Sequence, residues 1–389
     1  MKHTGIRSTL AVLMLLLVFP LAASAQLMII GNDEKFIWDD AGVVRLFPPG
    51  KDTVSIVDIS DPGSPKIIAN LRLENSIIGP PTNLAITPDG QLAIVANSIH
   101  QVPDGAGWKG VPDNKLYVID LTTRPPSHIA TVEVGKQPSG LDINRAGNLA
   151  LVTNRADNTI SVLSIQGKDV KLIDTVPMGD LVASVAFTPD GKRALAGKFP
   201  AHKVALLDVN GQKVTYGKYD MPVGLWPYNI GVTPNGKLAL TADQGNAGRS
   251  DGHVDTVSVI DLETNPPRVI DHVVVGDAPE GLEISPTGEI AVALLLNGND
   301  GPHNAWFYHK SGRVAVLKID GKKVTKVGEI EVGGAPEGAV FSPDGKYLYV
   351  GNFIDQDVSI LKVDGTKLTD TGKRLQLPGH PASMRGRAR

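Results

Sequence analysis

Residues Val332 to Asn352 read VGGAPEGAVFSPDGKYLYVGN: a G-x-x-P turn, a short apolar run, an S-P-D-G turn and a second apolar run ending in Asn. The same pattern returns along most of the chain. Its second turn recurs as Thr87-Pro88-Asp89-Gly90, Asn144-Arg145-Ala146-Gly147, Thr188-Pro189-Asp190-Gly191, Thr233-Pro234-Asn235-Gly236, Ser285-Pro286-Thr287-Gly288 and Ser342-Pro343-Asp344-Gly345. Proline presets φ at the first central turn position, Asp or Asn tolerates the next, and glycine supplies the left-handed residue that closes a hairpin. Successive closing glycines lie 57, 44, 45, 52 and 57 residues apart. A unit of about 40–50 residues is what four short strands and their turns require, which is one blade of a propeller.

The first turn counts the blades. It occurs at Gly79, Gly135, Gly179, Gly224, Gly276, Gly333 and Gly379, without its proline at Gly179 and one residue shorter at Gly79 and Gly379. Seven copies predict seven blades. Only His380 to Arg389 follows the last, enough for one strand, whereas Leu27 to Asn32 matches the second strand of a unit that lacks its first. Ring closure accounts for both ends: the C-terminal segment supplies the inner strand of the blade that the N-terminal segment begins, leaving no open sheet edge. Period-two, β-branched runs such as Thr53–Ile59, Lys115–Asp120, Thr256–Asp261 and Asp357–Val363 predict third strands, and no sustained helical period appears after residue 25. The expected fold is all-β, a seven-bladed propeller of four-stranded antiparallel blades over residues 26–389.

Residues 1–25 have a basic start (Lys2, Arg7), an apolar run from Leu10 to Leu21 and Ala23-Ser24-Ala25, the pattern of a secretory signal peptide cut after Ala25. The apolar run is too short to span a bilayer. Export to the periplasm is expected, with secretion as the alternative. The chain has no cysteine, so disulfides and a lipidated cysteine are excluded as anchors of its structure. A net charge of −3 with both signs interspersed argues against nucleic acid or an anionic membrane as partner. A monomer without membrane insertion is expected. The sequence holds no cysteine nucleophile, no C-x-x-C-H haem site and no P-loop motif.

Second strands end in Ile94-Val95-Ala96-Asn97, Leu151-Val152-Thr153-Asn154 and Tyr349-Val350-Gly351-Asn352. These resemble the YVTN-type repeats of bacterial seven-bladed propellers, a group related to lactonase-like propellers. Blades four and five depart from the pattern (Leu195-Ala196-Gly197-Lys198, Leu240-Thr241-Ala242-Asp243), and blade six reads Leu294-Leu295-Leu296-Asn297. The resemblance implies the fold for nearly the whole chain after the signal peptide. For activity it implies only a range: exported proteins of unknown role, ring-opening hydrolases or isomerases, and dehydrogenase subunits. The repeat is structural, so it transfers no catalytic residue.

Function is therefore sought where the repeat is interrupted. Connections between second and third strands are long in blades one (Asn32 to Lys51), two (Asn97 to Asn114), five (Asp243 to Asp255) and six (Asn297 to Gly312), and they share a face with the G-x-x-P turns. Trp38, Trp108 and Trp306 fall in these loops, and Trp226 falls in a blade-to-blade turn beside Tyr228. They form a candidate ligand-binding set with Arg249 and His253, for a partner protein, a glycan or a small ligand; the plainer reading is that large loops need small apolar cores of their own. Glu280 and Glu337, each one residue after a turn proline, enter adjacent inner strands, and His303, His309 and His380 lie in nearby loops. Together they are candidates for acid–base chemistry on an ester or lactone. His303, His309 and Glu337 are the candidate ligands of a divalent cation, the one cofactor that the residues suggest. Loop histidines are common, however, and the shared Ala-Pro-Glu-Gly of blades six and seven is also explained by recent duplication. Asn297-Gly298-Asn299-Asp300-Gly301 resembles half a calcium loop but lacks the bidentate Glu. Two functions follow as expectations: a non-enzymatic binding propeller, and a lactonase-like hydrolase or isomerase with its site at the same mouth.

Overall fold

The computed structural model describes Met1 and residues 26–246 and 249–388. The signal-peptide expectation falls on residues outside that range. Seven four-stranded antiparallel sheets follow one another around a ring, and the remaining strand pair is a small hairpin, Phe36–Trp38 with Val44–Leu46. Blade one is closed as expected. Its inner strand, His380–Arg385, pairs with Leu27–Asp33, which pairs in turn with Thr53–Asp58 and that strand with Lys66–Leu71. The closing register sets Ile30 against Met384 and Asp33 against His380, with a bulge at Gly31/Asn32.

The repeated residues have repeated jobs. In the T-P-D-G turns the first side chain bonds across the hairpin: Thr87 Oγ1 donates to Asp89 Oδ1 at 2.6 Å and accepts from the Leu92 amide at 3.0 Å, while Gly90 sits at φ +72°. Ser342 and Asp344 repeat the arrangement in blade seven. The asparagine ending a second strand holds the third strand beside it. Asn154 Nδ2 reaches Thr159 and Ser161 at 2.9 Å each, and Asn352 Nδ2 reaches Asp357 and Ser359. Blade five keeps the contact with reversed polarity, Asp243 accepting from Thr256 and Ser258. In blade six the register puts Leu295, not Asn297, at this position; Asn297 lies beyond the strand end with φ +55°. Bulky apolar side chains of neighbouring blades interlock between the sheets, as in the cluster joining Leu240 and Val259 of blade five to Leu282 and Ala293 of blade six.

The G-x-x-P turns hold the residue before proline in the left-handed region: Gln137, Trp226, Ala278 and Ala335 have φ between +46° and +60°. Each turn delivers the chain into an inner strand, so the positions just after the turn ring one mouth of the channel. One loop differs from expectation. The connection of blade two is not irregular but continues the sheet, as strands Leu92–Asp104 and Gly107–Asp120 extend as a paired hairpin to Asp104 opposite Gly107. Backbone N–H and C=O groups there pair across the two strands instead of leaving a loop.

Candidate functional site

The seven residues entering the inner strands at the loop-bearing mouth are Thr82, Ser139, Ala183, Tyr228, Glu280, Glu337 and Ala382, and all are buried. Blades one to four contribute only small side chains here, and blades five to seven contribute the larger ones. Three neighbouring connections add polar side chains beside these residues. Arg155, from the short turn of blade three, lays its guanidinium over the rings of Phe199 and Tyr228, 5.4 Å and 6.0 Å from their centroids. Gln244 follows the second strand of blade five and bonds Glu280. Asp300, from the blade-six loop, accepts the Ser250 amide at 3.2 Å and lies close enough to raise the proton affinity of Glu280 and Glu337.

The polar atoms of this chamber are largely without partners among the described residues. Both carboxyl oxygens of Glu337, Nε and Nη1 of Arg155, Oδ1 of Asp300, Oε1 of Gln244 and the hydroxyls of Thr82 and Ser139 are buried and make no hydrogen bond. Each such group costs about 1–3 kcal/mol if nothing satisfies it. A native fold keeps only a few, and here many gather around one point.

The electrostatics follow from burial. Glu280 is pushed up to about 8, first by desolvation and then by Asp300, against the opposing pull of Gln244 and Arg155. Burial, with Glu280 and Asp300 beside it, raises Glu337 well above the usual carboxylate range. Two carboxyls buried side by side cannot both ionise cheaply, so near neutrality they are held as neutral acids, able to donate an O–H as well as accept. Tyr228 is likewise raised by burial and keeps its proton.

A roof covers part of the mouth. The Phe36–Trp38 and Val44–Leu46 hairpin packs Phe36, Trp38, Val44 and Leu46 over Ile77, Phe353, the turn residues Ala278 and Ala335, and Ala382 of the closing strand. Trp38 meets Phe36 and Phe353 edge-on at 4.9 Å and 5.6 Å. The hairpin base is held by Lys35, fully buried between Asp33 and Asp52, with its ammonium also donating to the Asn75 carbonyl. Its tip rests on the blade-six loop, where the His303 amide donates to the Asp40 carbonyl at 2.9 Å.

Of the residues singled out from sequence, the structure gathers Glu280, Glu337 and Tyr228 in the chamber and disperses most of the rest. His303 is half exposed and faces Asp40 at 3.4 Å. His309 is exposed, and its carbonyl, not its ring, accepts a bond from Asn299. His380 bonds through its ring to the Phe353 carbonyl, 2.7 Å away, and to Gln356, packed against the Phe353 ring. The His303 and His380 rings thus pair with Asp40 and with the Phe353 carbonyl and Gln356, not with the glutamates. Among the described residues no three His, Cys, Asp or Glu side chains are grouped so as to hold a metal, so His303, His309 and Glu337 do not form a ligand set.

The aromatic set divides in two. Trp38 builds the roof's core, and Trp226 packs on Phe199 at 4.4 Å while its amide donates to His202. Trp108 is half-buried in the extended hairpin of blade two, opposite Pro103. Trp306 is the outward-facing one, 77% exposed, with its indole against Gly252. Arg249 and His253 are exposed on the blade-five loop, His253 facing Asp251 at 3.2 Å. Sequence reading missed Arg155, Gln244 and Asp300. Only Asp300 carried a signal, its place in an Asn/Gly/Asp-rich interruption of the repeat.

This architecture has known counterparts. No family model matches the chain. Antigen Lp49 of Leptospira interrogans is 26% identical over 257 residues, which are 65% of this chain and 53% of that protein; the chain thus spans about half the length of that relative. Among solved structures, a Bacteroides uniformis protein described as a candidate 6-phosphogluconolactonase superposes with TM-score 0.69 at 17% identity, covering 93% of this chain and 99% of that one. The periplasmic gluconolactonase of Pseudomonas aeruginosa gives TM-score 0.67 at 18% identity, over 94% and 99% of the two chains. Hydrazine synthase of Kuenenia stuttgartiensis gives 0.60 at 18%, over 80% and 90%. The chain is a seven-bladed propeller of the architecture shared with 6-phosphogluconolactonase-like proteins; at these identities the likeness is one of fold.

Proposed function

We propose that the protein is an exported propeller that binds a small polyhydroxylated ligand in the chamber at its loop-bearing mouth. The observation that carries this reading is Glu337, fully buried with both carboxyl oxygens unpartnered, beside Glu280, which in turn feels the partly unpartnered Arg155 guanidinium. Neutral carboxyls, two small hydroxyls and a stacked guanidinium offer donors and acceptors on several sides, which suits a ligand dense in hydroxyl and carbonyl groups. Export rests on the basic-apolar-small pattern of residues 1–25, in keeping with the periplasmic name of one structural counterpart.

A second reading is ring-opening of a lactone in the same chamber, favoured by Glu280 at about 8, which places an acid–base group near working pH. In that reaction Glu337, protonated, donates to the ring oxygen as water adds to the carbonyl, and the fraction of Glu280 that ionises as pH approaches 8 takes the proton from water. One set of measurements separates the two readings: calorimetric titration with gluconate, and hydrolysis of glucono-1,5-lactone followed by pH-stat, on metal-analysed wild type, Arg155→Ala and Glu337→Gln. Binding reduced at least tenfold in both variants without turnover supports the binding protein. Turnover that Glu337→Gln removes establishes the hydrolase. Neither binding nor turnover in the wild type overturns the chamber as a site for this class of ligand.

A further inference from the structure

The opposite mouth of the channel holds a separate cavity of about 570 Å³, within the roughly 300–1,000 Å³ range of small-molecule pockets. Its rim is made by turn prolines Pro88, Pro189, Pro234 and Pro286, and its apolar wall includes Ile230 and Ile284 of inner strands. The charge set is unequal: Arg145, Arg385 and Arg387 line it against Asp142 and Glu283. Asp142 is already committed, accepting from Arg385 at 3.1 Å and from the Phe187 amide at 2.8 Å. Arg145 is exposed at the rim, and its side chain makes no hydrogen bond or ion pair to another described residue.

One wall is the segment that follows the closing strand. Arg387 bridges to Ile86 in parallel, and the Ala388 amide donates to the Ile86 carbonyl at 2.9 Å. The repeat does not require this segment, since ring closure is complete at Arg385. It lines the mouth with Gly386, Arg387 and Ala388 and adds a third arginine to Arg145 and Arg385.

We propose that this rear mouth is a second ligand site, taking a small organic anion whose apolar body lies on the proline and isoleucine wall and whose charged group meets Arg145. Guanidinium groups pair with carboxylate, phosphate or sulfonate oxygens in two-point geometry. The site is independent of the chamber at the other mouth, because no residue is shared between them.

The test uses the aromatic anion 8-anilinonaphthalene-1-sulfonate as probe, titrated by fluorescence into the folded wild type and three variants checked by circular dichroism. Arg145→Glu reverses the rim charge, Val232→Trp fills the cavity, and Trp306→Ala alters the exposed apolar residue of the other face. Saturable binding of the probe, weakened at least tenfold by Arg145→Glu and by Val232→Trp but unchanged by Trp306→Ala, supports the site. Absence of saturable binding, equal affinity in Arg145→Glu, or loss of binding with Trp306→Ala overturns it.

Discussion

Among single residues, Glu280 and Glu337 tie the protein's stability to pH in an unusual direction. Most surface carboxyls have lowered proton affinity in a fold, but burial raises these two. Between an ordinary value near 4.5 and the folded value of about 8, Glu280 keeps its proton in the native state while the unfolded chain has lost it. The native state binds more protons across that window, so the contribution of this group is greatest below it and is lost as pH rises towards 8. Glu280→Gln has no such titration. Its unfolding free energy, measured in urea, is expected to gain on the wild type as pH goes from 5 to 8.5, by about 2 kcal/mol or more, because each tenfold difference in proton affinity between the two states is worth roughly 1.4 kcal/mol. Parallel pH profiles for the two proteins would show that the carboxyl is not held neutral. The pairing of these glutamates was legible in the repeated Ala-Pro-Glu-Gly, because each sits at the same step after a turn. Arg155 was not, because an arginine in a short surface turn is indistinguishable in sequence from a solvated one.

Among the structural elements, the hairpin packs over Ala278 and Ala335, two residues before Glu280 and Glu337. Its tip glycine, Gly42, has φ +68°, and a Cβ there would lie 2.8 Å from the Pro302 nitrogen and 2.9 Å from the Gly301 carbonyl carbon. Both atoms are backbone and cannot be moved by a rotamer change. Gly42→Val is therefore expected to lift the hairpin from the blade-six loop at a cost of about 1–3 kcal/mol, while the blades stay intact. Hydrogen exchange should read this as amides of residues 36–46 exchanging at least tenfold faster, with protection of the second strands unchanged; unaltered protection in the hairpin would mean that the tip is not its point of attachment. The aromatic content of these loops was visible in sequence. That Trp38 faces inward as roof core and Trp306 faces outward was not, since a non-periodic loop carries no pattern that assigns its side chains to a face.

For the molecule as a whole, one strand decides whether the ring exists. His380–Arg385 supplies the inner edge of blade one and brings Met384 into the cluster with Met28, Ile30, Val340 and Tyr349, which joins blades one and seven. Removing residues 378–389 leaves Leu27–Asp33 with an unpaired edge and opens the gap between those blades. The truncated protein is expected to lose cooperative thermal unfolding and to elute as aggregate in size-exclusion chromatography, as exposed strand edges do. A monomer with wild-type melting temperature would refute closure as the source of the ring's integrity.

The all-β class, the seven blades, the joint blade built from both ends of the chain and the face on which the long connections gather were all readable from the residues alone. Each rests on local chemistry repeated at a period, a proline and glycine in a turn or an asparagine bonding the next strand, and such chemistry needs no knowledge of distant residues. Which side chains meet is a matter of the assembled ring. The chamber draws Arg155, Tyr228 and Gln244, Glu280 and Asp300, and Glu337 from blades three, five, six and seven, and the rear cavity depends on the segment from Gly386 to Ala388 crossing back to blade two. The histidines were drawn away from the glutamates for the same reason: inner strands are placed by the ring, whereas the loops that carry His303 and His309 follow whatever path their own contacts stabilise.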